Sequence, residues 1–245
     1  MNQYCLLLGS NSDIGKALAY KFASQAYNII LASRKVDEHQ LSLQQDIIQK
    51  HAVQVICVAF DATHYQEHDH FWNHLPVIPD VVISAVGYLG KQQLAISDFS
   101  EAYNIMSANY VGQVSLLNRY VQKVKGVKAA TIIGISSVAG ERGRKSNFMY
   151  GSSKAAFTNY LSGLRNDLWD ADIHVMTVLP GFVKTKMLGD LQSPKWLTAL
   201  PEEVAESVWK AFQNKKNVLY VYPIWKYIMF IIKCIPEFMF KKMKL

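Results

Sequence analysis

Residues 131–154 read TIIGISSVAGERGRKSNFMYGSSK. The opening Thr131-Ile132-Ile133-Gly134-Ile135 is an apolar, β-branched run, the pattern of a buried strand. It delivers Ser136 and Ser137 to the strand's C-terminal edge. A loop rich in Gly and Arg follows, Gly140 to Arg144. Met149-Tyr150-Gly151-Ser152-Ser153-Lys154 then opens a helical pattern that runs to about Trp169. Tyr150 and Lys154 are four apart, so they share one helix face. An ammonium beside a phenol favours phenolate, and Lys154 is expected to lower the Tyr150 pKa from its free value of about 10. Such a tyrosine passes a proton to a carbonyl oxygen near neutral pH. Ser137 can donate a hydrogen bond to the same oxygen. Tyr-x3-Lys alone is a weak signal, because any solvated helix face can carry the pair.

The flanking segments repeat the strand–turn–helix pattern. Residues 4–8, YCLLL, end at Gly9, and GSNSDIG (9–15) leads into the amphipathic KALAYKFASQAY. Here Gly9, Ser12, Asp13, Ile14 and Gly15 can bring backbone N–H groups and a helix N-terminus to a pyrophosphate. Asp13 takes the place of a middle glycine in the common dinucleotide fingerprint, and an ordinary strand–helix turn would need glycine too. NIILAS (28–33) is a second strand. An acidic residue at its end would hold the ribose hydroxyls of NAD(H). Ser33 and Arg34 stand there instead and suit a 2′-phosphate, which favours NADP(H). NAD(H) stays open, because Arg34 also reads as a solvated loop residue.

Residues 41–50 read as a helix. VQVICVAF (53–60) is a third strand, with Asp61-Ala62 placed to contact an adenine. HYQEHDHFWNH (64–74) holds two His-x3-His pairs but no nearby cysteine; it reads as a solvated outer helix without a metal. DVVISAVG (80–87) is a fourth strand ending in Ala85 and Gly87. Residues 98–124 form a long helical pattern in which Asn109 is disfavoured by propensity. A kink, a bound water or a plain polar contact would each account for it. IHVMTVL (173–179) is a sixth strand, followed by Pro180-Gly181-Phe182-Val183-Lys184-Thr185. Residues 186–200 lack periodicity and read as a mobile lid. Pro201-Glu202-Glu203 opens a helix to about Phe212, and Val218–Val221 is a last short strand. Alternating strands and helices predict an α/β fold, a doubly wound parallel sheet with helices on both faces and a ligand at the C-terminal strand edges.

With 245 residues, half of them hydrophobic, the chain suits one large domain with a buried core. Three widely spaced cysteines read as reduced thiols in a cytoplasmic protein. No basic N-terminal region suggests a secretory signal. The net charge of +7 would permit nucleic acid as a partner, but residues 222–245 alone hold five Lys against one Glu. The excess is local, so nucleic acid is not expected.

In the order Gly9–Gly15, Asp61, Gly87, Asn109, Ser137, Tyr150-x3-Lys154, and Pro180-Gly181 with Thr185, the chain resembles the short-chain dehydrogenase/reductase family across residues 4–221. The resemblance implies a Rossmann-type fold, a nicotinamide cofactor and a catalytic tetrad of Asn109, Ser137, Tyr150 and Lys154. Lys154 would hold the nicotinamide ribose, Asn109 a water linking Lys154 to solvent, and Val183 and Thr185 the carboxamide. Asp13 and Ser84-Ala85-Val86-Gly87 depart from the family pattern. Residues 140–151 and the tail YPIWKYIMFIIKCIPEFMFKK further resemble the decaprenylphosphoryl-2-keto-ribose reductase branch. That branch implies a keto sugar on a polyprenyl phosphate as substrate and a flavin oxidase as partner in a two-step epimerisation. Reduction of a 3-oxoacyl or other lipid ketone, and nucleotide binding without chemistry, are the competing readings. Family members are often dimers or tetramers, so a homo-oligomer is expected.

The sequence divides into a catalytic domain, 1–221, and a tail, 222–245. On one helical projection Lys226, Lys233, Glu237, Lys241 and Lys244 fall in a narrow stripe, and most of the rest is apolar. Pro236 should break the helix. No uncharged run is long enough to cross a bilayer. The tail can lie peripherally in a membrane interface or pack on a sister subunit. On the membrane reading, its removal is expected to spare turnover of a short soluble substrate.

Overall fold

The YCLLL run forms strand β1 (Tyr4–Leu8), and its side chains alternate between two apolar layers. Cys5 and Leu7 enter one layer, Leu6 and Leu8 the other. The computed structural model describes residues 3–189 and 193–243. After β1 come α1 (Asp13–Ala23), β2 (Asn28–Ser33), α2 (Glu38–His51) and β3 (Val55–Ala59). Then follow α3 (His68–His74), β4 (Val81–Ser84), α4 (Gln92–Ser97) and α5 (Phe99–Met106). One π turn, Ser107–Val111, joins α5 to α6 (Gly112–Val124). The strand and helix of the opening stretch are β5 (Ala130–Ile135) and α7 (Phe148–Asp167), followed by β6 (Ile173–Leu179). Two short strands, β7 (Phe182–Val183) and β8 (Thr198–Ala199), pair with each other. The chain ends with α8 (Pro201–Gln213), β9 (Val218–Tyr220), α9 (Ile224–Cys234) and α10 (Glu237–Phe240).

The main sheet has seven strands in the order β3-β2-β1-β4-β5-β6-β9, all parallel. The order reverses between β1 and β4, and such a switch opens a crevice at the C-terminal strand edge. Phe22 of α1, Ile47 of α2 and Val208 of α8 fill one face of the sheet. Trp72 of α3, Tyr120 of α6 and Phe157 of α7 fill the other. Each such fully buried side chain contributes about 1.5–3 kcal/mol of transfer free energy. The doubly wound sheet is therefore observed.

Three expectations about the periphery change. The 64–74 segment is not wholly a solvated surface: His68 and Trp72 are buried. His68 Nδ1 lies 2.8 Å from Ser115 Oγ, and Trp72 Nε1 donates to the Leu116 carbonyl at 3.0 Å. An outer helix in this fold must still cover its neighbour, and a neutral imidazole with two partners can be buried. Of the expected lid, residues 190–192 lie outside the described residues, but Leu197 and Ala199 are buried and β8 is paired.

The third change is the tail. α9 ends at Cys234 and Ile235 is extended before Pro236, so the break occurs where the proline requires it. The single-helix stripe therefore does not exist, and Lys244 lies outside the described residues. Trp225, 4% exposed, and Met229 pack with Val138, Leu179 and Leu197. A Cβ on Gly181 would lie 2.0 Å from the Trp225 ring, so the indole occupies space that only glycine leaves open. Removing the tail would uncover the ends of β5 and β6, so truncation cannot be expected to spare turnover. Among the described residues no helix is long and apolar enough to cross a membrane.

Candidate active site

Strands β4 and β5 end side by side, and Lys154 reaches back from α7 to both. Its ammonium donates to the Ile135 carbonyl at 3.0 Å and to the Val86 carbonyl at 3.5 Å. The side chain is buried, with a residue exposure of 2%. Burial with only neutral partners drives its pKa down to about 7. One turn earlier, Tyr150 packs against Ala95, Ala102 and Ile105. Lys154 Nζ lies 5.9 Å from the Tyr150 ring centroid.

The expected lowering of the Tyr150 pKa is not observed among the protein's own groups. Burial pushes the phenol up to about 12, and the Ser137 hydroxyl opposes this by hydrogen bonding. Lys154 is turned towards two backbone carbonyls, and its own charge is disfavoured by the same burial. Ser137 sits in extended backbone beyond β5, where its Oγ also accepts from Ala139 N–H at 3.1 Å. Ser137, Tyr150 and Lys154 are thus brought to one edge.

Asn109 lies in the π turn and is fully buried. Its Nδ2 donates to the Tyr88 carbonyl at 2.6 Å and the Ile105 carbonyl at 2.8 Å, and its Oδ1 accepts from Tyr88 N–H at 3.1 Å. The side-chain amide is therefore committed to backbone, which gives Asn109 a positioning role. It fixes the segment that carries Gly87, whose added Cβ would lie 3.5 Å from Asn109 Oδ1 and 3.8 Å from Lys154 Nζ. The kink reading is met by the π turn.

Two residues escaped the sequence reading. Gln113 is buried; it accepts from Ser84 Oγ at 2.8 Å and donates to the Asn109 carbonyl at 2.7 Å. Its only signal was a polar residue four after Asn109. Glu101 accepts from Tyr88 Oη at 3.0 Å and Lys91 N–H at 2.8 Å, a contact its surface-like position in the pattern conceals.

The switch crevice fits a dinucleotide. Gly9 has φ +84°, and a Cβ there would lie 2.9 Å from the Ala85 carbonyl oxygen, so the turn presents bare backbone. Ser12 caps α1: it accepts from Gly15 N–H at 3.0 Å and donates to the Gly9 carbonyl at 2.8 Å. Asp13 spans the crevice and accepts from Lys186 N–H at 2.7 Å, which explains a carboxylate in a glycine's place. Ile14 packs against the core beneath the turn.

Ser33 does not present its hydroxyl outward as expected. It is buried and donates to the Lys35 carbonyl and Gln40 Oε1, at 2.7 and 2.9 Å. Arg34 is exposed and is available to an anion. Burial alone would raise the Asp61 carboxyl. Two hydrogen bonds from Thr63, with His64 and Arg34 nearby, instead hold it below the usual carboxylate range. Ala62 is buried beside it, and Ala85 N–H donates to the Leu8 carbonyl at 2.9 Å. Across the crevice, Pro180 O accepts from Val138 N–H at 3.0 Å, and Thr185 Oγ1 donates to Val183 O at 3.3 Å. Gly181 lies between them under Trp225.

A family model described as short chain dehydrogenase matches residues 3–196. The chain belongs to the short-chain dehydrogenase family of oxidoreductases. An uncharacterized oxidoreductase of Mycobacterium tuberculosis is 30% identical over 248 residues, spanning 97% of this chain and 96% of that protein. An NADP-dependent 3-hydroxy acid dehydrogenase of Schizosaccharomyces pombe is 25% identical, spanning 87% and 88%. Among solved structures, one of 7β-hydroxysteroid dehydrogenase superposes with a TM-score of 0.81 at 18% identity, covering 95% of this chain and 92% of that one. A Sphingobium yanoikuyae short-chain dehydrogenase in complex with NADPH gives 0.79 at 19% identity, covering 96% and 97%. These two superpositions show the shared fold.

The depressed Lys154 pKa makes stability depend on pH. Between about 7, its folded value, and the ordinary value of 10.5, the unfolded chain holds a proton that the folded chain has released. Stability therefore rises with pH across that window. His68 and His174 are held below their usual 6.5 and act under this range. From pH 7.5 to 8.5 the unfolding free energy should climb by about 1 kcal/mol. In Lys154→Met that climb should be absent, as urea unfolding at stepped pH will measure.

Proposed function

We propose that this oxidoreductase uses NADPH to reduce a keto sugar carried on a polyprenyl phosphate, in the synthesis of a cell-envelope glycan precursor. The observation that carries the reduction is the cluster of Ser137, half-buried Tyr150 and buried Lys154 at the switch edge. A bound nicotinamide supplies the hydride. Tyr150 keeps its proton at Oη over the working pH range, because burial favours the neutral phenol, and gives it to the ketone oxygen. Ser137 donates to that oxygen as its negative charge grows. Lys154 holds the Ile135 carbonyl at 3.0 Å and could turn its second donor from the longer Val86 contact, 3.5 Å, to a ribose hydroxyl. Asn109 holds the Gly87–Tyr88 backbone in register with Lys154.

The Gly9–Gly15 turn would hold the pyrophosphate at the N-terminus of α1. Arg34 would take the 2′-phosphate, with Asp61 and Ala62 on the adenine side. Ala85 and Gly87 would line the floor, and Pro180, Gly181, Val183 and Thr185 the carboxamide side. The NADP named for the yeast relative and the NADPH in the Sphingobium complex support this cofactor. NAD(H) is the alternative that Arg34 must exclude.

The lipid-linked substrate rests on the branch resemblance and on what lies beside the site. Tyr227 and Phe230 are 67% and 65% exposed on α9, on the same helix as buried Trp225. Ile231, Phe238 and Met239 extend this apolar surface, and Lys226, Lys233, Lys241 and Lys242 accompany it. In this reading residues 1–221 carry the reacting groups, and 222–245, packed on them through Trp225 and Met229, contact the cytoplasmic face of the membrane. A flavin oxidase would supply the ketone, and a homo-oligomer would be the working form. The yeast relative's name favours a second reading, a 3-oxoacid or other lipid ketone.

NADPH oxidation with a short-prenyl phosphoryl keto sugar should fall about 10²–10⁴-fold in Tyr150→Phe. A preference for 3-oxoacyl thioesters over the keto sugar would select the second reading, and equal rates in the two proteins would remove the tyrosine's role. Arg34→Ala should weaken NADPH binding by about 1.5–3 kcal/mol and leave NADH nearly unchanged. Tighter NADH binding in the wild type would reverse the cofactor assignment. Phe230→Ser with Ile231→Ser should lower binding to phosphatidylglycerol vesicles without changing the unfolding midpoint. Loss of the oligomer with vesicle binding intact would make this face a subunit contact instead.

A further inference from the structure

The loop between β5 and α7 carries Glu141, Arg142, Arg144 and Lys145 from Ser137 back to Tyr150. Most of its charge is spent on the tail. Arg142 Nη1 donates to the carbonyls of Ile232, Lys233 and Ile235 at 2.6, 3.0 and 2.7 Å, closing the C-terminal end of α9. Its Nη2 donates to Glu237 Oε2 at 3.0 Å, and the guanidinium lies 3.8 Å from the Phe240 ring centroid. Glu141 Oε1 accepts from Tyr220 Oη at 2.6 Å and Lys233 Nζ at 3.0 Å.

Arg144 is different. Its recorded partner is a thioether, with Nη2 3.1 Å from Met229 Sδ, and thioether sulfur is a weak acceptor. Its Nε is buried and has no partner among the described residues. Glu141 acts on it through space without a hydrogen bond, and the second carboxylate oxygen of Glu141 is also buried and unpaired. The burial of Arg144 opposes its charge. Two more buried polar atoms around the start of α7 have no partner among the described residues: Asn147 Oδ1, and Gln92 Nε2, whose Oε1 accepts from Met149 N–H at 3.0 Å. Most buried polar groups in proteins are paired, and the buried Nε of half-buried Arg144 lacks an acceptor among the described residues. A guanidinium fork is completed best by a carboxylate or a phosphoryl group, which it grips through two parallel N–H donors.

We propose that Arg144 binds the phosphoryl group of the substrate between the β5–α7 loop and α9, so that the attached ketone reaches Tyr150. The proposal rests on the lipid-phosphate reading above. Asn147 and Gln92 sit on the Tyr150 side of the loop, where the sugar hydroxyls of such a substrate would lie. The site therefore selects an oxyanion over a neutral ketone.

The test uses the full-length protein and geranyl phosphate as probe, by calorimetry, with geraniol as the neutral control. Arg144→Gln should weaken geranyl phosphate at least about tenfold, and Arg144→Lys should recover part of the loss, as a point charge replaces a fork. NADPH affinity should stay at its wild-type value in both, and the unfolding midpoint should not fall, which separates the phosphoryl contact from misfolding. Equal geranyl phosphate binding in wild type and Arg144→Gln overturns the proposal. So does a parallel loss of geraniol, which would make Arg144 a packing residue of α9. Vesicles of phosphatidylglycerol distinguish the sources of phosphate. If Arg144→Gln loses vesicle binding but still binds soluble geranyl phosphate, the residue serves a headgroup and the substrate assignment fails. If geranyl phosphate binding depends on Arg144 but no prenyl-phosphoryl ketone is turned over, the anion site stands and the keto-sugar reading falls.

Discussion

A single ammonium, almost wholly withdrawn from water, sets the geometry of this molecule's working edge. Lys154 has two backbone carbonyls for partners, one from the end of β5 and one from just beyond β4. Both lie at or just beyond the C-terminal ends of the strands, where the ladder stops, and the Val86 carbonyl also accepts from Gln113 Nε2 at 3.5 Å. The ammonium ties the two strand ends together and fixes the first turns of α7 against them. Tyr150, one turn back on the same helix, has its position set by that tie. The burial that organises the site also suppresses charge on Lys154 and raises the Tyr150 phenol. The chain's own groups therefore hold the tyrosine as a neutral phenol.

Around this tie, side chains answer several backbone polar groups. Asn109 pairs with both the N–H and the carbonyl of Tyr88, and Gln113 takes the carbonyl that Asn109 exposes in the π turn. Glu101 takes Lys91 N–H one loop further on. A π turn widens the helix enough for a side chain to leave the regular ladder. The result is a floor held by side-chain hydrogen bonds, as a site needs if its donors are to be aimed before a substrate arrives.

The tail belongs mechanically to this edge. Arg142 closes α9 through three carbonyls, while five residues earlier in the chain Ser137 faces Tyr150. Trp225 fills the space over Gly181, where the segment after β6 turns toward Val183. Movement of α9 would thus be felt on both sides of the crevice. This places a surface rich in exposed aromatics and lysines within the same packed unit as the reacting groups. It also explains why a boundary at residue 221, reasonable from composition, cuts through a packed cluster.

Hydrophobic runs of five to seven residues, spaced by helical patterns, were enough to read the parallel sheet from the sequence, because strands buried on both faces must be apolar throughout. The convergence of Gly9, Ser137, Tyr150 and Lys154 was legible for the same reason: in an alternating β/α chain every strand end lies on one edge. The Pro236 break followed from a missing N–H. Other features depended on neighbours distant in sequence. The direction of the Tyr150 pKa shift is a matter of depth, which spacing does not report. Ser33 turned inward because Gln40 offers an acceptor 2.9 Å away, and His68 was buried because Ser115 and the Asp61 carbonyl could satisfy it. Asp13 has a partner 173 residues later. Local pattern determined which elements form and which residues reach the edge. Only tertiary packing decided which of their polar atoms are already paired, because hydrogen-bond saturation and desolvation depend on atoms brought together from across the chain.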